Sequence, residues 1–190
     1  MESNPLVTVI CLCYNHDAFV QEAIYSVLTQ TYSNVELIVV DDASTDRSVA
    51  RIRELIADYP SVTFLSLDEN VGNCKAFNLG LARAKGKYII DLAADDILCP
   101  NRIEVGVKDF EEVNNSYGVH FSNAFLIDNK GHLIRSFYPL DEGGKLKIAV
   151  PQGDVYAALV QRFFICTPTM MMRKDLLEEL GGYDENLAYE

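Results

Sequence analysis

Apolar residues recur along the first half of the chain in two alternating rhythms. Residues 6–13 form a near-continuous apolar run suited to a strand buried on both faces. Residues 17–30 then place Phe19, Val20, Ala23, Ile24, Val27 and Leu28 on one helical face. A second apolar run over 35–40 stops at Asp41-Asp42, after which Ser44 or Thr45 is placed to cap a helix. That helix turns Val49, Ile52, Leu55, Ile56 and Tyr59 inward and ends at Pro60. A third strand is predicted over 62–67, a third helix with Phe77, Leu81 and Ala84 inside and Gly86 closing it, and a fourth strand over 87–92. Strict alternation of strand and helix with apolar strands predicts an α/β fold, its parallel sheet covered by helices on both faces and wound right-handed.

Beyond Pro100 one more helix is predicted through Ile103, Val107 and Phe110, and then the rhythm changes. Residues 118–127 and 132–138 read as two strands around Asp128-Asn129-Lys130-Gly131, a hairpin turn signal. A loop over 139–150, a short helix over 152–161, a strand over 163–173 and a helix over 174–180 ended by Gly181-Gly182 complete a mixed α+β second half. Tyr156, Phe163, Phe164 and the run Met170-Met171-Met172 are expected in the core. With no repeat or linker in between, the two halves are expected to share one sheet.

Composition narrows the picture. At 190 residues with 49% hydrophobic and 23% charged, the chain suits one globular domain. A formal net charge of −12 argues against general nucleic-acid binding, which needs a basic face. An anionic ligand would need a metal or backbone donors. Apolar runs such as Leu37-Ile38-Val39-Val40 fall far below the ~20 residues of a membrane span. Met1-Glu2-Ser3-Asn4-Pro5 lacks the basic start of a signal peptide, so a cytoplasmic location is expected. Five cysteines, Cys11, Cys13, Cys74, Cys99 and Cys166, are expected to be reduced core thiols. A zinc site at Cys11 and Cys13 would want a second ligand pair, and none lies at ligand spacing.

In an open parallel sheet, ligands bind beyond the carboxyl ends of the strands. The first strand delivers Cys13-Tyr14-Asn15 there, the second Asp41-Asp42-Ala43-Ser44, and the fourth Asp91-Leu92-Ala93-Ala94-Asp95-Asp96. Facing carboxylates repel unless something cationic sits among them, and hard divalent cations prefer such oxygens. Mg²⁺ or Mn²⁺ carrying a diphosphate fits. Each acidic pair also has a local reading as turn and cap, and Tyr14 one as a partly exposed core ring. Their joint placement favours a site. His16, His120 and His132 are isolated in sequence and read as solvated or core-satisfied.

The segments Val7-Thr8-Val9-Ile10-Cys11-Leu12-Cys13-Tyr14-Asn15, Ala23-Ile24-Tyr25-Ser26-Val27-Leu28-Thr29-Gln30-Thr31-Tyr32 and Glu36-Leu37-Ile38-Val39-Val40-Asp41-Asp42-Ala43-Ser44-Thr45-Asp46 together resemble the family 2 glycosyltransferases. The resemblance continues through Asn70-Val71-Gly72, Asn78-x-Gly80, Ala84 to Ile89 and Ala94 to Pro100. It resumes at Thr167-Pro168-Thr169-Met170 and Gly181-Gly182-Tyr183-Asp184-Glu185, and is weakest over 117–160. It implies a GT-A, Rossmann-like fold and an inverting enzyme that moves a sugar from a nucleotide diphosphate, usually UDP, to a hydroxyl of a carbohydrate or lipid-linked acceptor. Polysaccharide or cell-surface glycan synthesis would be the setting, with membrane-surface association open to the whole protein.

The resemblance assigns Tyr14 to stack on the nucleobase and Asp42, beside Asp41, to hydrogen-bond it. Asp95 matches the last acid of an Asp-x-Asp metal motif whose first acid is replaced by Ala93. Asp95 is then the main metal ligand, with Asp96 or Asp91 as candidates. The family's acceptor base follows the Gly-Gly-Tyr-Asp-Glu segment in a Glu-Asp pair, and the sequence closes at Glu190, one residue before that Asp. The expectation is a catalytic domain truncated near its base, residues 1–100 forming the donor half and 101–190 a partial acceptor half. Two other classes remain in view. A phosphoacceptor receiver-type signalling module would carry its acidic pair after the first strand, not the second. A sugar-nucleotide nucleotidyltransferase would carry a glycine-rich basic loop where Tyr14-Asn15-His16-Asp17 stands.

Overall fold

The computed structural model describes residues 4–113 and 116–187, so Glu190 lies outside the described residues. The first half alternates β1 (Val7–Cys13), α1 (Val20–Leu28), β2 (Val35–Asp41), α2 (Ser48–Ile56), β3 (Thr63–Ser66), α3 (Asn73–Leu81), β4 (Tyr88–Ala93) and α4 (Arg102–Glu112). The second half adds β5 (Val119–His120), β6 (Phe125–Ile127), β7 (Leu133–Ser136), α5 (Tyr156–Gln161), β8 (Met171–Arg173) and α6 (Lys174–Leu180). The main sheet has strand order β3-β2-β1-β4-β8-β5, while β6 and β7 pair separately. β1 runs parallel to β2 and β4, β2 parallel to β3, and β8 antiparallel to both β4 and β5. The two halves therefore do share a sheet, through β8.

Alternation along β1 sends residues to two different cores. Val7, Val9, Cys11 and Cys13 pack with Val20, Ile24, Ile52, Ile103, Val107 and Phe110, so α1, α2 and α4 cover one face. Ile10 and Leu12 pack with Ala76, Phe77, Leu81 and Leu177, which puts α3 and α6 on the other. Burial on both faces explains why these strands are apolar throughout. α3 lies close on the sheet because position 80 lacks a side chain, and a Cβ there would meet Ile10 Cγ2 at 2.6 Å.

Several local expectations are corrected. Neither Ser44 nor Thr45 caps α2; the helix starts later, after Arg47, and the Ser44 hydroxyl bonds Asp41 instead. Gly86 does not close α3, which ends at Leu81. It lets the chain pass β1, since a Cβ would sit 2.5 Å from the Thr8 backbone nitrogen. The strand expected over 118–127 is two short strands in different sheets. The one expected over 163–173 is reduced to β8, because Pro168 has no N–H to give a ladder and residues Thr167–Thr169 turn as a 3₁₀ helix. Tyr156 and Phe163 are not core: they are 76% and 63% exposed. Cys99 is exposed too, although all five thiols are free. No described helix is long and apolar enough to cross a membrane.

Candidate functional site

The carboxyl ends of β1, β2 and β4 end on one side of the sheet, and a cleft of about 710 Å³ opens above them. Its walls include Tyr14 and His16 after β1, Asp42 after β2, Gly72, Asn73 and Ala76 at the start of α3, and Asp91, Ala93, Asp95 and Asp96 along and after β4. Thr167 and Pro168 close the side nearest β8.

The floor is made by two interlocked loops. Asn15 at φ +58° and Ala43 at φ +59° both adopt the left-handed region, a conformation that costs a non-glycine residue about 1 kcal/mol or more. The compensation is visible. The Asn15 amide oxygen accepts the Thr45 N–H at 2.8 Å, the Asn15 N–H donates to the Ser44 hydroxyl at 2.9 Å, and the His16 N–H donates to the Ser48 hydroxyl at 3.0 Å. Strain held by surrounding hydrogen bonds belongs to sites whose geometry matters.

Asp41 and Asp42 differ in what they do. Asp41 is fully buried, and its two oxygens accept the Ser44 N–H at 2.9 Å and the Ser44 hydroxyl at 2.6 Å. It braces the loop from beneath and does not line the cleft. Asp42 does line it, while its oxygens accept the N–H groups of Val71 at 2.7 Å and Gly72 at 2.9 Å. That pins the turn before α3 to the end of β2. Tyr14 projects its ring into the opening and is 46% exposed, which leaves a face free for stacking.

After β4, Asp95 is exposed and Asp96 half-buried. Burial and the Asp95 charge raise the Asp96 carboxyl to about 6, with His16 pulling the other way. A carboxyl kept from ionising by a neighbour's charge is one that a cation would relieve. No three metal-ligating groups gather among the described residues. The donor set therefore fits a hard cation that takes a minority of its ligands from Asp95 and Asp96 and the rest from phosphate and water. Asp91 is turned otherwise: its Oδ2 accepts the Tyr183 hydroxyl at 3.1 Å. Burial and Asp91 together push the Tyr183 phenol far above its ordinary range. Cys11 and Cys13 are buried beneath the cleft, and burial raises both thiols, Cys13 to about 11, so neither is a thiolate at neutral pH.

Tyr14, Asp42, Asp95 and Asp96 thus meet in one cleft with Asp91, while Asp41 stands beneath it. His16, which reads from sequence as an isolated histidine, also belongs to the wall, its Nδ1 3.9 Å from Asp95 Oδ1. The Asn70-Val71-Gly72 turn has a sequence signal, because only a glycine there carries φ +85° comfortably. Thr167 and Pro168 belong to the segments that carry the resemblance, but nothing in their local pattern places them at the cleft. Their place depends on β8 pairing backward onto β4.

Known proteins share this fold. The family model described as glycosyl transferase family 2 matches residues 8–181. A Rickettsia prowazekii protein named as an uncharacterized glycosyltransferase is 32% identical over 98% of this chain and 56% of its own length. A Methanocaldococcus jannaschii protein named likewise is 30% identical over 96% of this chain and 60% of its own. The chain spans little more than half the length of such relatives. Among solved structures, the Pyrobaculum calidifontis mannosyltransferase PcManGT, in complex with GDP-Man and Mn²⁺, superposes with a TM-score of 0.67 at 21% identity, over 97% of this chain and 49% of that one. S. aureus TarS 1-349 in complex with UDP-GlcNAc gives 0.66 at 22%, over 94% and 48%. The fold is the GT-A fold.

Proposed function

Because the chain belongs to glycosyl transferase family 2, we propose that its cleft binds a nucleotide-sugar donor and that the whole protein transfers the sugar to an acceptor hydroxyl with inversion. The observation that carries this reading is the meeting, in one cleft at the strand ends, of an exposed aromatic ring, the backbone-anchored Asp42 and the Asp95-Asp96 carboxylate pair. A nucleoside diphosphate offers each of these a complement, a base to stack and hydrogen-bond and phosphates to share a cation. Uridine is the proposed base. It would stack on Tyr14, and the free lone pairs of Asp42 would accept its imide N–H, while Asp41 keeps the loop in place. TarS was captured with UDP-GlcNAc and PcManGT with GDP-Man, so guanosine is the natural comparator.

Asp95 and Asp96 would hold Mn²⁺ or Mg²⁺, which when bound neutralises charge on the departing diphosphate. An inverting displacement further needs a base on the acceptor side, opposite the leaving group. In this reading the segment running on from Gly181 to Glu190 leads to that base. Polysaccharide or cell-surface glycan synthesis at the cytoplasmic side of a membrane is the proposed setting.

The test is calorimetric titration with UDP and GDP, with and without Mn²⁺, repeated on Asp42→Ala and Asp95→Ala. Expected is UDP binding that strengthens with Mn²⁺ and weakens about tenfold or more in each variant, with Asp95→Ala losing the Mn²⁺ dependence. Tighter binding of GDP would replace the uridine assignment. Binding of neither would overturn the donor site.

A further inference from the structure

The segment after α6 is tied to α3 through the side chain of Asn78. Gly181 at φ +82° and Gly182 at φ +81° reverse the chain at the end of α6, and the turn delivers the Tyr183 backbone to Asn78 in the middle of α3. There the Asn78 Oδ1 accepts the Tyr183 N–H at 2.9 Å, and its Nδ2 donates to the Tyr183 carbonyl at 2.8 Å. The same Nδ2 donates to Glu185 Oε1 at 3.0 Å. The amide copies the edge of a strand, reading donor and acceptor of one residue together, and this pairing fixes which way the amide points. Approach is so close that a Cβ on Gly182 would collide with Asn78 Oδ1.

The same helix is tied to the cleft at two other points. Its leading turn is pinned by Asp42 through Val71 and Gly72, and Gly72, Asn73 and Ala76 line the cleft. One position before Asn78, Phe77 stacks on the Tyr183 ring with centroids 4.2 Å apart, and the Tyr183 hydroxyl reaches Asp91 in the cleft wall. The turn leading into α3 is therefore held by the proposed base-binding acid, and the middle of the helix holds the 183–185 segment. The nine residues of α3 connect the two contacts through one run of helical hydrogen bonds.

We propose that Asn78 is a positioning residue that clamps the 181–185 segment to α3, so that donor binding at Asp42 stiffens the segment leading to the acceptor side. This rests on the donor reading above. Asn78 touches neither the cleft nor a reacting group, so its effect passes through Tyr183 and Glu185.

Hydrogen exchange read by mass spectrometry on peptides covering 181–187 tests it, with and without UDP and Mn²⁺, in the unaltered chain, Asn78→Asp, Asn78→Ala and Gly182→Ala. Asn78→Asp is isosteric but places an acceptor against the Tyr183 carbonyl and the Glu185 carboxylate. Without nucleotide, exchange over 181–187 is expected to quicken about tenfold in each variant while peptides from β1 and β4 stay unchanged. With nucleotide, exchange over 181–187 should slow at least threefold in the unaltered chain and not in Asn78→Asp, whose UDP affinity should stay within about threefold. Unchanged exchange in Asn78→Asp without nucleotide would overturn the clamp. Nucleotide slowing that survives in Asn78→Asp would overturn the coupling. Failure of UDP and GDP to bind the unaltered chain would remove the donor reading and the coupling together, and the nucleotide-free arm would still decide the clamp.

Discussion

Between Val7 and Phe110 the large apolar side chains mostly go inside, whereas between 121 and 166 many stay at the surface. Ile10, Ile24, Ile52, Phe77 and Ile103 are fully buried, while Phe125, Leu133, Ile134, Tyr156 and Phe163 are 57%, 63%, 64%, 76% and 63% exposed. The later stretch is organised by polar turns instead. The Asn123 amide oxygen accepts the N–H groups of Ala124 at 2.9 Å and Tyr138 at 2.7 Å, and Asp141 Oδ1 accepts those of Gly143 at 2.9 Å and Lys145 at 2.8 Å. This stretch, with Leu146 and Ile165, also walls a second, more apolar cleft of about 1040 Å³ together with Phe110 and Tyr117. One region is fixed by what it excludes from water, the other by which backbone groups it satisfies. The first tolerates little change in volume and the second little change in hydrogen bonding.

That contrast breaks most decisively at two aromatic rings. Phe77→Ala should cost about 3–5 kcal/mol of unfolding free energy, whereas Phe163→Ala should stay within about 0.5 kcal/mol. Urea denaturation of both variants measures the gap, and equal losses would mean the later stretch has a core of its own.

The joint between the regions comes next. Arg102 is buried under α4 and donates to the Thr169 carbonyl at 2.6 Å and to His120 Nδ1 at 3.2 Å, while His120 Nε2 meets Asp109 at 2.9 Å. An arginine only donates, so His120 accepts at Nδ1 and donates from Nε2. Burial pushes the guanidinium down to about 10, and burial with Arg102 holds His120 below its ordinary value. Arg102→Ala should cost about 1.5–3 kcal/mol through the lost charged hydrogen bonds, with the loosening read by exchange over 165–172.

Glycines sharpen the comparison at a smaller scale. Gly86→Ala, forced against Thr8, should cost about 1–3 kcal/mol. Gly131→Ala meets open space and pays only for its φ of +79°, about 1 kcal/mol. Thermal melts of the pair order them.

The last effect is one of pH. Asp96 has its folded value raised to about 6, so forcing it to ionise costs stability as pH rises from about 4 through 6. Asp96→Asn should melt level with the unaltered chain near pH 4 and a few degrees higher at pH 7 in EDTA. Mn²⁺ should narrow that difference by stabilising the ionised carboxylate.

The sequence is legible where burial imposes a period. β1, β2 and β4 match their apolar runs nearly residue for residue, because each side chain meets a helix on one face or the other. Tyr14, Asp42, Asp95 and Asp96 follow from that reading, since strand ends locate the cleft. Past Gly118 the pattern holds only in part: the 128–131 turn does join β6 to β7 and α6 spans Lys174–Leu180 as expected, but the strands and the core are misjudged. Exposed rings at Phe125 and Phe163 mimic a core that does not form, and Pro168 interrupts what composition presents as one strand. His16 is hidden for another reason: its meaning comes from Asp95, distant in sequence and adjacent only once β4 has paired with β1.

The strand order carries a consequence for how the molecule is made. β4 finds its inner partner β1 early in synthesis, but its outer partner is β8, which pairs Ile89 with Met172 and Ile90 with Met171. A ribosome emits the chain from its start, so the outer ladder of β4 stands open while the next eighty or so residues are added. An open ladder flanked by isoleucines invites pairing with another nascent chain. β8, at three residues one of the shorter strands of the sheet, thus serves as the stopper of a vulnerable edge. Slowing its arrival should lower the yield of monomer before it lowers the stability of the finished protein.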